Sequence, residues 1–154
     1  MIASVRILLI EDDDGKRQSI ETVLKREVPH ATIVSAHSVR SALDQVSAGQ
    51  FQLILADMSL PTFDIVDRKS GGTPRPFGGI EVFEQIERLE LLIPILVVTS
   101  YPAFSDGKQS LRFEDLAVHL KRDFPQLFAG LIYFDFAYSD WDRLLSKHLS
   151  QLIE

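Results

Sequence analysis

Glu11 and Asp12 close the apolar run Val5-Arg6-Ile7-Leu8-Leu9-Ile10, and Asp57 closes a second run from Phe51 to Ala56. Thr99 and Ser100 close a third, Ile95 to Val98. Carboxylates gathered at the tips of neighbouring strands repel one another and raise each other's pKa unless a cation lies between them. A hard divalent ion meets that need. Magnesium takes oxygen ligands, keeps several waters and uses only one or two protein carboxylates, which suits a shallow cluster open to phosphate. Asp13 and Asp14 fit equally well as anions at a helix N-terminus. The four histidines, His30, His37, His119 and His148, are too dispersed to form a ligand set or a catalytic pair. Gly71-Gly72 and Gly78-Gly79 lack the Gly-Lys-Ser/Thr continuation of a phosphate loop and read as hinges.

For these residues to meet, the runs that precede them must lie side by side. Continuous apolar runs of this kind read as strands buried on both faces, as parallel strands are. Ala31 to Ala36 and Leu131 to Phe136 supply two further strands. Helical spacing joins Ile20, Val23 and Leu24, then Val39, Ala42, Leu43 and Val46 between a Ser38 cap and a Gly49 stop. It recurs at Ile80, Phe83, Ile86 and Leu89, over about Leu111 to Lys121, and from Trp141 to Leu152. Strand and helix alternate five times. That order predicts a flavodoxin-like, doubly wound five-stranded parallel sheet in a three-layer α/β/α sandwich. Its site would lie beyond the carboxyl ends of the strands, where the strand order reverses. Two connections, about 58–78 and 100–110, are longer than this fold needs.

The 154 residues, 45% hydrophobic and 25% charged, fit one domain over 1–154 that buries its own core. With no cysteine, disulfides, thiol catalysis and Cys-ligated metals are excluded, and a reducing, cytoplasmic setting is expected. The apolar stretches are only strand-length, so no membrane span or secretion signal is expected. A net charge of −6 argues against direct contact with nucleic acid.

The runs Ile7-Leu8-Leu9-Ile10-Glu11-Asp12-Asp13, Leu53-Ile54-Leu55-Ala56-Asp57-Met58-Ser59-Leu60-Pro61, Gly79-Ile80-Glu81-Val82-Phe83 and Ile95-Leu96-Val97-Val98-Thr99-Ser100 together resemble the response-regulator receiver domain of two-component signalling. The resemblance implies that Asp57 is the phosphoacceptor. Asp57 and Asp12 would ligate Mg2+, with Glu11 acting through water and Ser59 through its backbone carbonyl. Thr99 would hydrogen-bond a phosphoryl oxygen, and Tyr133 matches an aromatic that changes rotamer in many receivers. The fourth helix, fifth strand and fifth helix would form an output face or homodimer interface, here offering Tyr133, Phe136, Tyr138 and Trp141.

One family feature is absent. Receivers end the fifth strand with a lysine that contacts the phosphoryl group, and this sequence has Phe136 or Ala137 there, with no lysine between Lys121 and Lys147. Losing that contact would cost about 1.5–3 kcal/mol of charge-assisted hydrogen bonding. Arg68, Lys69, Arg75 or Lys108, all on the long connections, could replace it. Phe63, Ile65, Val66 and Phe77 could pin the first connection over the site.

The expected function is a stand-alone, non-enzymatic receiver-like signalling domain. It would take a phosphoryl group on Asp57 from a histidine kinase or phosphotransfer protein and act through a downstream protein target. The alternative is a phosphorylation-independent pseudo-receiver serving as an interaction module. A magnesium-dependent phosphohydrolase is disfavoured, because Ser59 stands where such an enzyme needs a second aspartate.

Overall fold

The computed structural model describes residues 4–64, 75–137 and 140–153. The chain runs β1 (Arg6–Ile10), α1 (Asp14–Glu27), β2 (Thr32–Ala36), α2 (Val39–Ala48), β3 (Leu53–Ala56), α3 (Gly78–Arg88), β4 (Ile95–Thr99), β5 (Ala103–Ser105), β6 (Ser110–Arg112), α4 (Phe113–Asp123), β7 (Phe128–Tyr133) and α5 (Asp140–Leu152). Five strands form one parallel sheet in the order β2-β1-β3-β4-β7, which is the expected doubly wound fold.

Alternate residues of each strand serve opposite faces of the sheet. Ile7, Leu9, Leu53, Leu55, Leu96 and Val98 pack with α1 and α5, whereas Leu8, Ile10, Ile54, Ala56, Ile95 and Val97 pack with α2, α3 and α4. Burial on both faces explains why the central strands read as unbroken apolar runs. The strand order reverses between β1 and β3, so Glu11, Asp12 and Asp57 emerge on either side of the switch point.

Capping fixes where the helices start. Asp13 caps α1, its carboxylate accepting from the Gly15 N–H at 3.0 Å and, more weakly, the Lys16 N–H at 3.5 Å. Ser38 caps α2 in a capping box with Ser41, and Gly49 ends that helix, as the sequence predicts.

Two elements depart from expectation. The fifth sheet strand, β7, begins three residues earlier than predicted and stops at Tyr133, leaving Phe134, Asp135 and Phe136 beyond its end. Its pairing with β4 shifts register between Ile95 and Leu96, near Gly130 at φ +155°. A Cβ at Gly130 would come within 2.6 Å of the His148 ring, so α5 sits where only glycine lets it approach.

The second departure is the connection over 100–110, which folds as an antiparallel hairpin. Asp106 holds its turn, accepting from the Lys108 and Gln109 N–H groups at 2.9 and 2.8 Å, and Gly107 takes φ +87°. Phe104 and Leu111, the central residues of the two strands, are buried in the α2–α3–α4 layer.

Candidate functional site

The carboxyl edge brings together most of the residues that the sequence singles out. Ligand oxygens of Glu11, Asp12 and Asp57 lie within 4.8 Å of one another. Glu11 and Asp57 are buried and Asp12 is half-buried. With Asp13, Lys16, Ser59, Ser100 and Tyr101 they line a cleft of about 90 Å³. Asp57 Oδ1 accepts from the Met58 N–H at 2.7 Å and the Ser59 N–H at 3.4 Å, which fixes the carboxylate plane. Thr99 is fully buried at the end of β4, and its hydroxyl accepts from the Tyr101 N–H at 3.3 Å.

Lys16 enters this cluster from the first turn of α1. Its Nζ lies 2.6 Å from Glu11 Oε1 and 3.1 Å from Asp57 Oδ2, and it donates to the Val98 carbonyl at 2.8 Å. The Phe134 ring lies 5.8 Å away. At 1% exposure, Lys16 is the one lysine or arginine buried among the described residues.

The electrostatics follow from burial. Burial pushes the Glu11 carboxyl up to about 8, the Lys16 ammonium opposing the rise and Asp57 adding to it. Asp12 is raised by burial and by Asp57. Burial alone would lower Lys16, but Asp57 and Glu11 outweigh it, so this ammonium is held charged. With all three carboxyls ionised, the cluster and Lys16 together would carry two formal negative charges, which one divalent cation would neutralise while drawing the proton off Glu11. Hard oxygen donors converging on an open cleft fit Mg2+.

Of the substitute cations named from the sequence, the two among the described residues, Arg75 and Lys108, lie outside the cleft. Arg75 pairs with Glu81 on α3, and Lys108 is exposed in the β5–β6 turn. Arg68 and Lys69 lie outside the described residues, as do Ile65, Val66, Gly71, Gly72 and Tyr138. The sequence did carry a signal for Lys16. It stands four, seven and eight positions before Ile20, Val23 and Leu24, on the buried stripe of α1, one turn after the acidic residues.

The connection after Asp57 is closed at its base. Leu60 and Arg75 exchange two backbone hydrogen bonds, of 3.1 and 3.0 Å, so residues 61–74 leave and return at one point. Gly78 and Gly79, expected as hinges, instead form the first turn of α3, packed on the backbone that follows Asp57. A Cβ at Gly79 would stand 2.6 Å from the Asp57 carbonyl oxygen, and one at Gly78 would stand 2.4 Å from that of Leu60. Phe63, expected to pin the connection, is exposed, whereas Phe77 packs against Phe104 of the hairpin.

Beyond β7, Phe136 is 68% exposed and stacks edge-on against Phe134, with ring centroids 4.7 Å apart. Tyr133 is also exposed and meets Phe113 edge-on, whereas Trp141 packs on Phe134. No helix among the described residues is long and apolar enough to cross a membrane.

The response regulator receiver domain model matches residues 7–118. The Detocs response regulatory protein DtcB of Enterobacter cloacae is 21% identical over 150 residues, covering 96% of this chain and all of its own length. Its Vibrio alginolyticus counterpart is 26% identical over 136 residues, covering 84% of this chain and 88% of its own. Among solved structures, response regulator TrrA of Thermotoga maritima, in complex with Mg2+ and BeF, superposes with a TM-score of 0.62. That match has 19% identity and covers 97% of this chain and 99% of TrrA.

Proposed function

The chain belongs to the response regulator receiver domain family, and from that premise we propose that it takes a phosphoryl group on Asp57 with Mg2+ and signals through a protein partner. The observation that carries this reading is the convergence of Glu11, Asp12 and Asp57 at the switch point of the sheet. Asp12, Asp57 and the Ser59 carbonyl would hold the ion, with Glu11 acting through water. Bound there, Mg2+ would offset the carboxylate charge and the charge of the incoming phosphoryl oxygens.

In the transfer, a carboxylate oxygen of Asp57 attacks phosphorus and a new O–P bond forms as the bond from phosphorus to the donor breaks. The bonding pair leaves with the donor, an imidazole nitrogen of a phosphohistidine or the acetate of acetyl phosphate. The Met58 and Ser59 N–H groups hold the nucleophile in place during this exchange. Thr99 would donate its hydroxyl proton to a phosphoryl oxygen while its oxygen accepts from the Tyr101 N–H, which couples the site to the hairpin that begins at Ala103.

As a signalling module of 1–154, the domain would receive its phosphoryl group from a histidine kinase or phosphotransfer protein in the cytoplasm. Its downstream partner or a second copy would dock on α4, β7 and α5. The names of the DtcB relatives, response regulatory proteins that match over nearly their whole length, support a regulatory role exerted through another protein.

Intact mass after incubation with acetyl phosphate and Mg2+ tests the reading. The parent should gain one phosphoryl group, and neither Asp57→Asn nor the parent in excess chelator should gain any. A parent that gains no mass would leave the domain a phosphorylation-independent interaction module.

A further inference from the structure

We infer that Lys16, from the first turn of α1, supplies the cation that contacts the phosphoryl group on Asp57, in place of the lysine that receivers carry after their last sheet strand. The inference rests on Asp57 being the phosphoacceptor and names the residue that completes that site.

The geometry points to Lys16 in three ways. Its ammonium is already directed at the nucleophile, 3.1 Å from Asp57 Oδ2. The Val98 carbonyl, at 2.8 Å, anchors it from the end of β4, so it is aimed by the sheet rather than free to swing. Its stem lies on the buried stripe of α1, and burial of both stem and charge leaves few alternative positions. No other cation among the described residues is buried at this edge.

Phosphorylation would redirect one of its ion-pair contacts without moving its helix. Once an Asp57 oxygen is bonded to phosphorus, that carboxyl loses its formal charge, and the phosphoryl oxygens become the nearest anionic acceptors. The N–H that Lys16 now turns toward Asp57 would point instead at a phosphoryl oxygen, the ammonium keeping its proton. Those facing Glu11 and Val98 can stay, because an ammonium has three donors. Phe136, one of the two residues at the family's lysine position, stands beside the same turn of α1: a Cβ at Gly15 would lie 3.6 Å from its ring. The two positions thus approach one site from adjoining places.

The test compares the parent, Lys16→Met and the double variant Lys16→Met/Phe136→Lys, each treated with acetyl phosphate and Mg2+ and followed by intact mass. Loss of one charge-assisted contact should slow adduct formation about ten- to a hundredfold in Lys16→Met. A lysine restored at 136 should recover much of that rate, marking the loss as that of a cation and not of the fold. A second readout needs no variant: the side-chain 15N resonance of Lys16 in the labelled parent should shift on adding Mg2+ with beryllofluoride. A Lys16→Met protein that phosphorylates at the parent's rate, or a Lys16 resonance that beryllofluoride leaves unmoved, would overturn the inference. A parent that forms no adduct would instead overturn the phosphoacceptor reading itself.

Discussion

The carboxyl end of β1 and the turn that follows it bring together charges that the family's usual pattern divides between its first and fifth strands, whereas the end of β7 brings none of them. The β1 end leads through Glu11, Asp12 and the Asp13 cap into Lys16, so anions and cation arise within a single turn of chain. The β7 end leads into Phe134, Asp135 and Phe136, a stretch with an exposed ring where the resemblance would put a lysine at 136 or 137. A phosphoryl site of this kind needs a positive charge at a point in space, not on a particular element. A side chain four methylenes long can reach that point from the helix as well as from the strand. The family pattern reads positions along the chain and therefore reports the cation as missing.

The largest expected effect would sharpen this contrast. Lys16→Met leaves Glu11 and Asp57 facing each other without a counter-charge and should cost about 3–5 kcal/mol in chelator, the usual penalty for removing one partner of a buried ion pair. Phe136→Ala, at the matching place beyond β7, should cost less than about 1 kcal/mol, because the ring is mostly exposed. Urea melts of both variants would check this. Millimolar Mg2+ should raise the stability of Lys16→Met more than that of the parent, since the ion then meets uncompensated carboxylates. Equal sensitivity at positions 16 and 136 would break the contrast.

A smaller effect is expected where α3 meets the backbone after Asp57. Gly79→Ala places a methyl group 2.6 Å from the Asp57 carbonyl oxygen. The overpacking should cost about 1–3 kcal/mol, lowering Tm by several degrees and slowing phosphorylation with it. An unchanged Tm would mean that α3 does not lie against this backbone.

Much of this was legible in the sequence. Apolar runs ending in Glu11, Asp57 and Thr99 place three strand ends at one edge, because runs of strand length bounded by polar residues suit parallel strands buried on both faces. The Ser38 and Gly49 signals mark both ends of α2. The hairpin was not legible. Ala103–Ser105 and Ser110–Arg112 are three residues each, too short for alternation to stand out, and only Phe104 and Leu111 anchor them. The role of Gly79 was hidden because a close approach between α3 and Asp57 depends on tertiary packing. Lys16 is hard to single out for another reason: a lysine at the start of an amphipathic helix is ordinarily solvated, so its place on the buried stripe of α1 gains meaning only with the charges gathered around it.

The smallest effect should come from the connection after Asp57. Replacing residues 65–74 by a short Gly-Ser turn keeps the Leu60–Arg75 pair and the Ser38–Asp64 hydrogen bond, and the change in loop entropy is worth about 0.6 kcal/mol per halving of length. Stability should shift by no more than about 1 kcal/mol, and adduct lifetime on Asp57 should stay within about twofold of the parent. A much shorter lifetime would return the cation's role to Arg68 or Lys69.

A crystal structure of the parent with Mg2+ and beryllofluoride tests the central claim most directly. The account predicts beryllium bonded to an Asp57 oxygen, Mg2+ on Asp12, Asp57 and the Ser59 carbonyl, and Lys16 Nζ within hydrogen-bond distance of a fluoride, with Phe136 outside the site. Fluoride held instead by an arginine or lysine of the 62–75 connection, with Lys16 still turned to Glu11 and Val98, would contradict it.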